Sequence, residues 1–151
     1  MRDAGALDEL WSALREATDP SRAGATLLKA AVPPARSAAT LALLRREARE
    51  AGYAASLISH AGSGIVYVRL ESRDWDDDAV LRLGALVERA RAHARGEGGS
   101  LVVESCPPLA KRLPDFDVWG DPGTGFPVMR ALKENLDPKG TLNPGRFVGR
   151  L

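Results

Sequence analysis

Three side chains with anion-handling or proton-handling chemistry, Lys29, Tyr67 and Arg69, fall at alternating positions of two apolar segments. If both segments are strands, period-two alternation puts Leu27, Lys29 and Ala31 on one face together with Ile65, Tyr67 and Arg69. An ammonium, a phenol and a guanidinium amid apolar side chains suit a surface that covers a ligand or a partner. The same pattern suits a solvated face over which Lys and Arg lay their aliphatic stems. His60 stands where a short loop begins and could orient a substrate carboxylate or serve only the loop. Arg69 and, near the C-terminus, Arg146 can each hold a carboxylate or a phosphate through two parallel N–H bonds.

Other constellations point away from chemistry. The run Asp74-Trp75-Asp76-Asp77-Asp78 precedes Val80, Leu83, Leu86 and Val87 at helical spacing. It therefore reads as an acidic helix N-terminus favoured by the macrodipole rather than a calcium loop. One cysteine, Cys106, cannot form an internal disulfide, and two histidines are too few for a structural zinc site. No metal site and no catalytic residue is assigned.

The elements that position these groups follow from pattern. Leu7, Leu10, Trp11 and Leu14 predict a leading helix that ends at Asp19-Pro20. A strand over Ala25 to Val32 stops at Pro33-Pro34. A helix runs from Ser37 to Ala51 with Leu41, Leu44 and Ala48 inward, and Gly52 stands at its C-cap. Strands over Ala54 to Ser59 and Ile65 to Glu71 flank a hairpin loop in which Gly62 and Gly64 are expected to supply positive φ. A long helix to about Arg95 ends at Gly96-Glu97-Gly98-Gly99, and a strand over Ser100 to Ser105 closes at Pro107-Pro108. A helix from about Pro127 to Leu136 and a tail rich in proline and glycine complete the chain.

Strand, helix, strand, strand, helix, strand is the order of an α+β, ferredoxin-like βαββαβ domain. Right-handed crossovers put both helices on one face of a four-stranded antiparallel sheet. Thr26, Leu28, Ala30, Val32, Val66, Val68 and Leu70 should lie beneath them. Residues 1–151 read as one domain, with its core at about 25–106 and a helix and tail over 107–151.

Composition bounds the partners. The 151 residues are 44% hydrophobic and 27% charged, and 21 Lys and Arg against 20 Asp and Glu leave a net charge of +1. That balance lacks the basic footprint of a nucleic-acid binder, and the strands lack the aromatic pair on which RNA bases stack. No stretch approaches the roughly 20 apolar residues of a membrane helix. Met1 to Ala6 has no apolar run behind its one arginine, so a secretory signal is not expected, and the lone Cys106 fits a reducing cytoplasm.

The tail narrows the reading. Met129-Arg-Ala-Leu-Lys133-Glu-Asn-Leu-Asp137-Pro138-Lys-Gly140-Thr-Leu-Asn143-Pro144-Gly145-Arg146-Phe147 resembles the segment that ends FAD-linked oxidases of the vanillyl-alcohol oxidase superfamily. Leu28-Lys29-Ala-Ala-Val32-Pro33-Pro34, Gly64-Ile-Val-Tyr-Val-Arg69-Leu and Val118-Trp119-Gly120 extend the likeness, which is greatest to the glycolate oxidase E-subunit group. The resemblance implies a C-terminal cap domain in a flavoprotein that oxidises a 2-hydroxy acid. FAD would be bound mainly by a separate N-terminal domain not encoded in these residues. It implies a flavin-binding domain or subunit and an iron-sulfur electron-transfer subunit as partners, and a place in the cytoplasm or peripheral to the inner membrane. Asn143, Gly145 and Arg146 would contact the cofactor, while Lys29, His60, Tyr67 and Arg69 would face the substrate.

One departure stands out. Catalytic relatives carry His-x-Gly-Asp-Gly-Asn-x-His at the hairpin, whereas this chain has His60-Ala-Gly62-Ser63-Gly64-Ile65-Val66-Tyr67. They also carry Glu-His-Gly after the last strand, where this chain has Glu104-Ser105-Cys106. The family's metal ligands are thus not reproduced, and the isolated chain is expected to be inactive. The alternative is a stand-alone ferredoxin-like module that binds a small molecule or forms a homo-oligomer through its open sheet face.

Overall fold

A computed structural model describes residues 4–21, 24–114 and 116–151. Residues 1–3, which begin the segment inspected for a leader, lie outside the described residues. The chain divides into two compact units, Met1–Phe116 and Asp117–Leu151.

In the first unit, helix α1 (Ala4–Ala17) precedes strand β1 (Ala25–Ala31), helix α2 (Ser37–Glu50), strands β2 (Ala54–His60) and β3 (Ile65–Glu71), helix α3 (Asp77–Gly96) and strand β4 (Ser100–Ser105). The strands form one antiparallel sheet in the order β2-β3-β1-β4. Helices α2 and α3 pack on each other and on the sheet, as the βαββαβ reading requires. Thr26, Leu28, Ala30, Val66, Val68 and Leu70 are all buried, and Leu83, Leu86, Val87 and Ala94 of α3 join them. Each fully buried Leu or Val contributes about 1.5–3 kcal/mol relative to exposure.

Local chemistry sets the boundaries. The Asp76 carboxylate accepts the Ala79 N–H at 2.8 Å, and Asp77 and Asp78 occupy the first turn of α3, so the acidic run is a helix start. Gly52, at φ 78°, ends α2, and the Tyr53 N–H returns to the Ala48 carbonyl at 2.9 Å. In the hairpin loop only Gly64 has positive φ; Gly62 does not, which corrects the expectation for that residue. Gly64 is required for a second reason. Its carbonyl accepts the Val32 N–H at 2.9 Å, and a Cβ there would overlap the Val32 carbonyl.

The inward face of α2 also differs from expectation. Its buried residues are Ser37, Thr40, Leu44, Glu47 and Ala48, while Leu41 is half-buried. Thr40 meets the His93 ring of α3 at 3.2 Å. Burial pushes the Glu47 carboxyl pKa up, but hydrogen bonds from Arg89 and Arg46 outweigh it and hold the value below the ordinary 4.5. Its stabilising contribution is therefore present above pH 4.5 and is lost as pH falls through the depressed folded value.

The second unit holds helix α4 (Phe126–Leu136) and the tail. Gly140 and Gly145 take positive φ, as does Asn143 at φ 47°.

Candidate functional site

The sheet face opposite α2 and α3 carries the first set of candidate residues. Register aligns Lys29 of β1 with Tyr67 of β3 and with Val102 of β4, and Tyr67 with Ile58 of β2. Neighbouring strands lie about 4.8 Å apart, so these side chains form a row across the sheet. The Lys29 Nζ lies 5.6 Å from the Tyr67 ring centroid and 3.4 Å from a Glu104 carboxylate oxygen. The Tyr67 hydroxyl, with Glu104 a smaller influence, raises the Lys29 pKa above its ordinary 10.5. Lys29 is therefore a fixed cation at neutral pH. His60, at the end of β2, meets Tyr67 edge-on with ring centroids 5.8 Å apart. Three of the four substrate-facing candidates are thus brought together.

Arg69 is placed differently. It is only 3% exposed, and its Nε and one Nη donate to the carbonyls of Glu16, Ala17 and Asp19 at 2.8–3.1 Å. These are the last carbonyls of α1 and of the turn after it, and a cation is favoured at a helix C-terminus. Leu27, opposite Arg69 in the ladder, is fully buried as well. One end of the open face is therefore closed over Leu27 and Arg69, and the other end, around Lys29, Tyr67 and His60, is open. Beyond its tethered end, α1 leaves Leu7, Leu10, Trp11 and Leu14 substantially exposed, Trp11 by 59%.

Sequence reasoning did not count Glu104 among the site residues. Its position in Ser100-Leu-Val-Val-Glu104 alternates with Val102 and so shares a face with Lys29, a signal that was present. The ladder adds what alternation could not. Leu28 pairs with Val103 but Leu27 pairs with Ser105, so Glu104 is the extra residue of a β-bulge.

The second set lies in the unit Asp117–Leu151. An open cleft of about 590 Å³ is lined by Trp119, Met129, Leu132, Leu136, Leu142 and Phe147, with Asn143 and Arg146 among its polar groups. One carboxylate organises the chain beside it. Asp137 accepts the Lys133 ammonium at 2.7 Å, the Thr141 and Leu142 N–H groups at 2.9 Å and the Thr141 hydroxyl at 3.1 Å. Lys133, then the backbone donors, hold the Asp137 carboxyl far below the ordinary 3.8. Trp119 donates its indole N–H to the Arg146 carbonyl at 3.0 Å and meets the Phe147 ring edge-on. Asn143 and Gly145 bend the intervening turn, closed by the Arg146 N–H on the Asn143 carbonyl at 3.2 Å. The apolar lining was not read from the sequence, although α4 is amphipathic and Leu132 and Leu136 lie four apart.

Cys106 is half-buried beside Trp75, Pro107 and Pro108, and burial pushes its thiol pKa up, away from nucleophilic use. Trp75 stacks on Tyr53 at 5.4 Å and donates its indole N–H to the Gly24 carbonyl at 2.9 Å.

Residues 1–104 and 120–147 match the model of the family described as FAD linked oxidases, C-terminal domain. The matched segments contain the whole row of Lys29, His60, Tyr67 and Glu104, the Asp137 hub and the Asn143 to Arg146 turn. With most of its length covered by that match, the chain belongs to the family of C-terminal domains of FAD-linked oxidases.

Proposed function

We propose that this chain is the C-terminal cap domain of a glycolate-oxidase-like flavoprotein subunit and supports FAD-dependent oxidation of a 2-hydroxy acid. The observation that carries the reading is the row of Lys29, Tyr67 and His60 on the open end of the sheet face. When bound, FAD would supply the acceptor for the hydride, one proton with two electrons, taken from the hydroxyl-bearing carbon. The chain's own residues bind and orient the substrate. Lys29 attracts the substrate carboxylate, the Tyr67 hydroxyl donates a hydrogen bond to it, and His60 orients it from the hairpin end. Arg69 works one step back, fixing the segment that closes the far end of the face.

The described residues fit contact with FAD better than enclosure of it. α3 opens behind Asp76, Asp77 and Asp78, whose carboxylates repel a pyrophosphate, and α4 carries Pro127, which has no N–H, in its first turn. Asn143, Gly145 and Arg146 form an exposed turn with a guanidinium beside an apolar cleft, which suits contact with a cofactor held mainly by another domain. A flavin-binding domain or subunit is therefore the first partner proposed, and an iron-sulfur subunit that removes the electrons is the second. No helix of the described residues is long and apolar enough to cross a membrane. A cytoplasmic location, free or attached to the inner membrane through those partners, is part of the same proposal.

The alternative of a dimer through the open sheet face has less support, because the sealing of Leu27 confines its apolar area to Ile58, Ile65, Val102 and the Tyr67 ring, interrupted by the charges of Lys29 and Glu104. The test is flavin retention. The chain purified alone should be colourless, and co-expression with a flavin-binding domain of this superfamily should give a complex that holds FAD and loses 2-hydroxy-acid oxidation on Lys29→Met. A stoichiometrically yellow chain, or oxidation indifferent to Lys29→Met, would overturn the proposal.

A further inference from the structure

The bulged residue of β4 bears on which acids the open face can accept. Lys29 and Glu104 are the paired charges of the row, 3.4 Å apart, with side chains 34% and 26% exposed. Solvent reaches both partners, so the pair can open. Alternation with Val102 already puts Glu104 on the Lys29 face, and as the bulged residue it has no partner directly opposite in β1, which leaves its side chain to Lys29. Among the described residues no second cation pairs with Glu104 at this end of the face, because Arg69 is committed to the carbonyls of residues 16, 17 and 19.

We propose that Glu104 is a specificity-determining residue that screens Lys29 and restricts the face to monocarboxylates. This rests on the reading of the Lys29 face as the carboxylate site. An entering carboxylate must displace Glu104 from the ammonium, yet Glu104 stays tethered within reach. A monoanion exchanges one ion pair for another. A dianion brings a second charge that meets the Glu104 carboxylate unbalanced, so dicarboxylates and phosphate are disfavoured.

The experiment uses the full chain, ¹⁵N-labelled, at neutral pH and constant ionic strength. Glycolate and oxalate are titrated while the Tyr67 and Val102 amide signals are followed. Exposed ion pairs are worth about 0.2–1 kcal/mol, so Glu104→Gln should tighten glycolate binding by about 1.5- to 5-fold. Because the interaction scales with ligand charge, oxalate should gain about 2- to 25-fold. Glu104→Thr, a good strand former, should reproduce both gains and guards against a local effect of the amide. If Lys29→Met abolishes binding but neither Glu104 variant tightens it, Glu104 is no screen and the carboxylate-site reading survives. If glycolate does not bind the wild-type chain, or binds equally well after Lys29→Met, that reading falls and the screen falls with it.

Discussion

The two units are built on opposite principles. In Met1–Phe116 apolar burial does the work: a sheet and two helices seal Leu28, Leu44, Leu70, Leu83 and Leu86 almost completely, and Leu27 is fully buried on the opposite face. In Asp117–Leu151 the only buried apolar residue among those described is Val148, while Val128, Leu132, Leu136 and Leu142 are each more than half exposed. What shapes that segment is turn chemistry around one carboxylate, Asp137, together with the Asp117 carboxylate that accepts the Trp119 and Gly120 N–H groups. A segment so short cannot bury enough surface to hold itself by the hydrophobic effect. The contrast teaches that the sheet unit should respond to lost volume and the tail to lost charge.

Leu28→Ala is the most severe way to probe that contrast. It removes a fully buried side chain beneath the helices and should lower stability by about 2–5 kcal/mol in urea unfolding. A loss below about 1 kcal/mol would mean that the core is not what holds the sheet unit. Arg69→Met comes next. It removes a charged donor from three carbonyls and should cost about 1.5–3 kcal/mol, with hydrogen-exchange protection lost first over residues 11–17. Unchanged protection there would show that α1 does not depend on the guanidinium.

Asp137→Asn is the smallest globally and the sharpest locally. Amide protection at Thr141 and Leu142 should fall while the urea midpoint of the sheet unit stays put. pH offers a second handle on the same carboxylate. Because the folded pKa of Asp137 is depressed, its contribution is fully present above the ordinary 3.8 and is lost only as pH falls through the lower folded value. The Thr141 and Leu142 amide shifts should therefore remain unchanged at pH 3.8 in the wild type. A transition centred at or above that value would refute the hub.

Much of the sheet unit was legible because its signals are local. Period-two alternation placed Leu28 and Val68 inside and Lys29 and Tyr67 outside, and Gly52 marked the end of α2. What escaped depends on distant parts of the chain. Nothing near Arg69 shows that the carbonyls of residues 16 to 19 will cover it. Nothing near Glu47 shows that Arg89, 42 positions away, will make its burial tolerable. The bulge at Glu104 is a property of a pairing rather than of either strand. In the tail the turns at Asp137, Gly140 and Gly145 could be read from residue type, but the cleft could not, since it appears only when α4 and the turn are set side by side.

The three indoles fall one to each region: Trp11 is open to water on α1, Trp75 lies against Tyr53 in the sheet unit, and Trp119 is clamped by Phe147 in the C-terminal unit. Excited indoles report their surroundings by emission wavelength, so this spacing equips the chain with three native fluorophores. Trp11 should emit furthest to the red. Variants that keep a single tryptophan would let α1, the sheet and the tail each be followed by its own optical signal, without any dye attached.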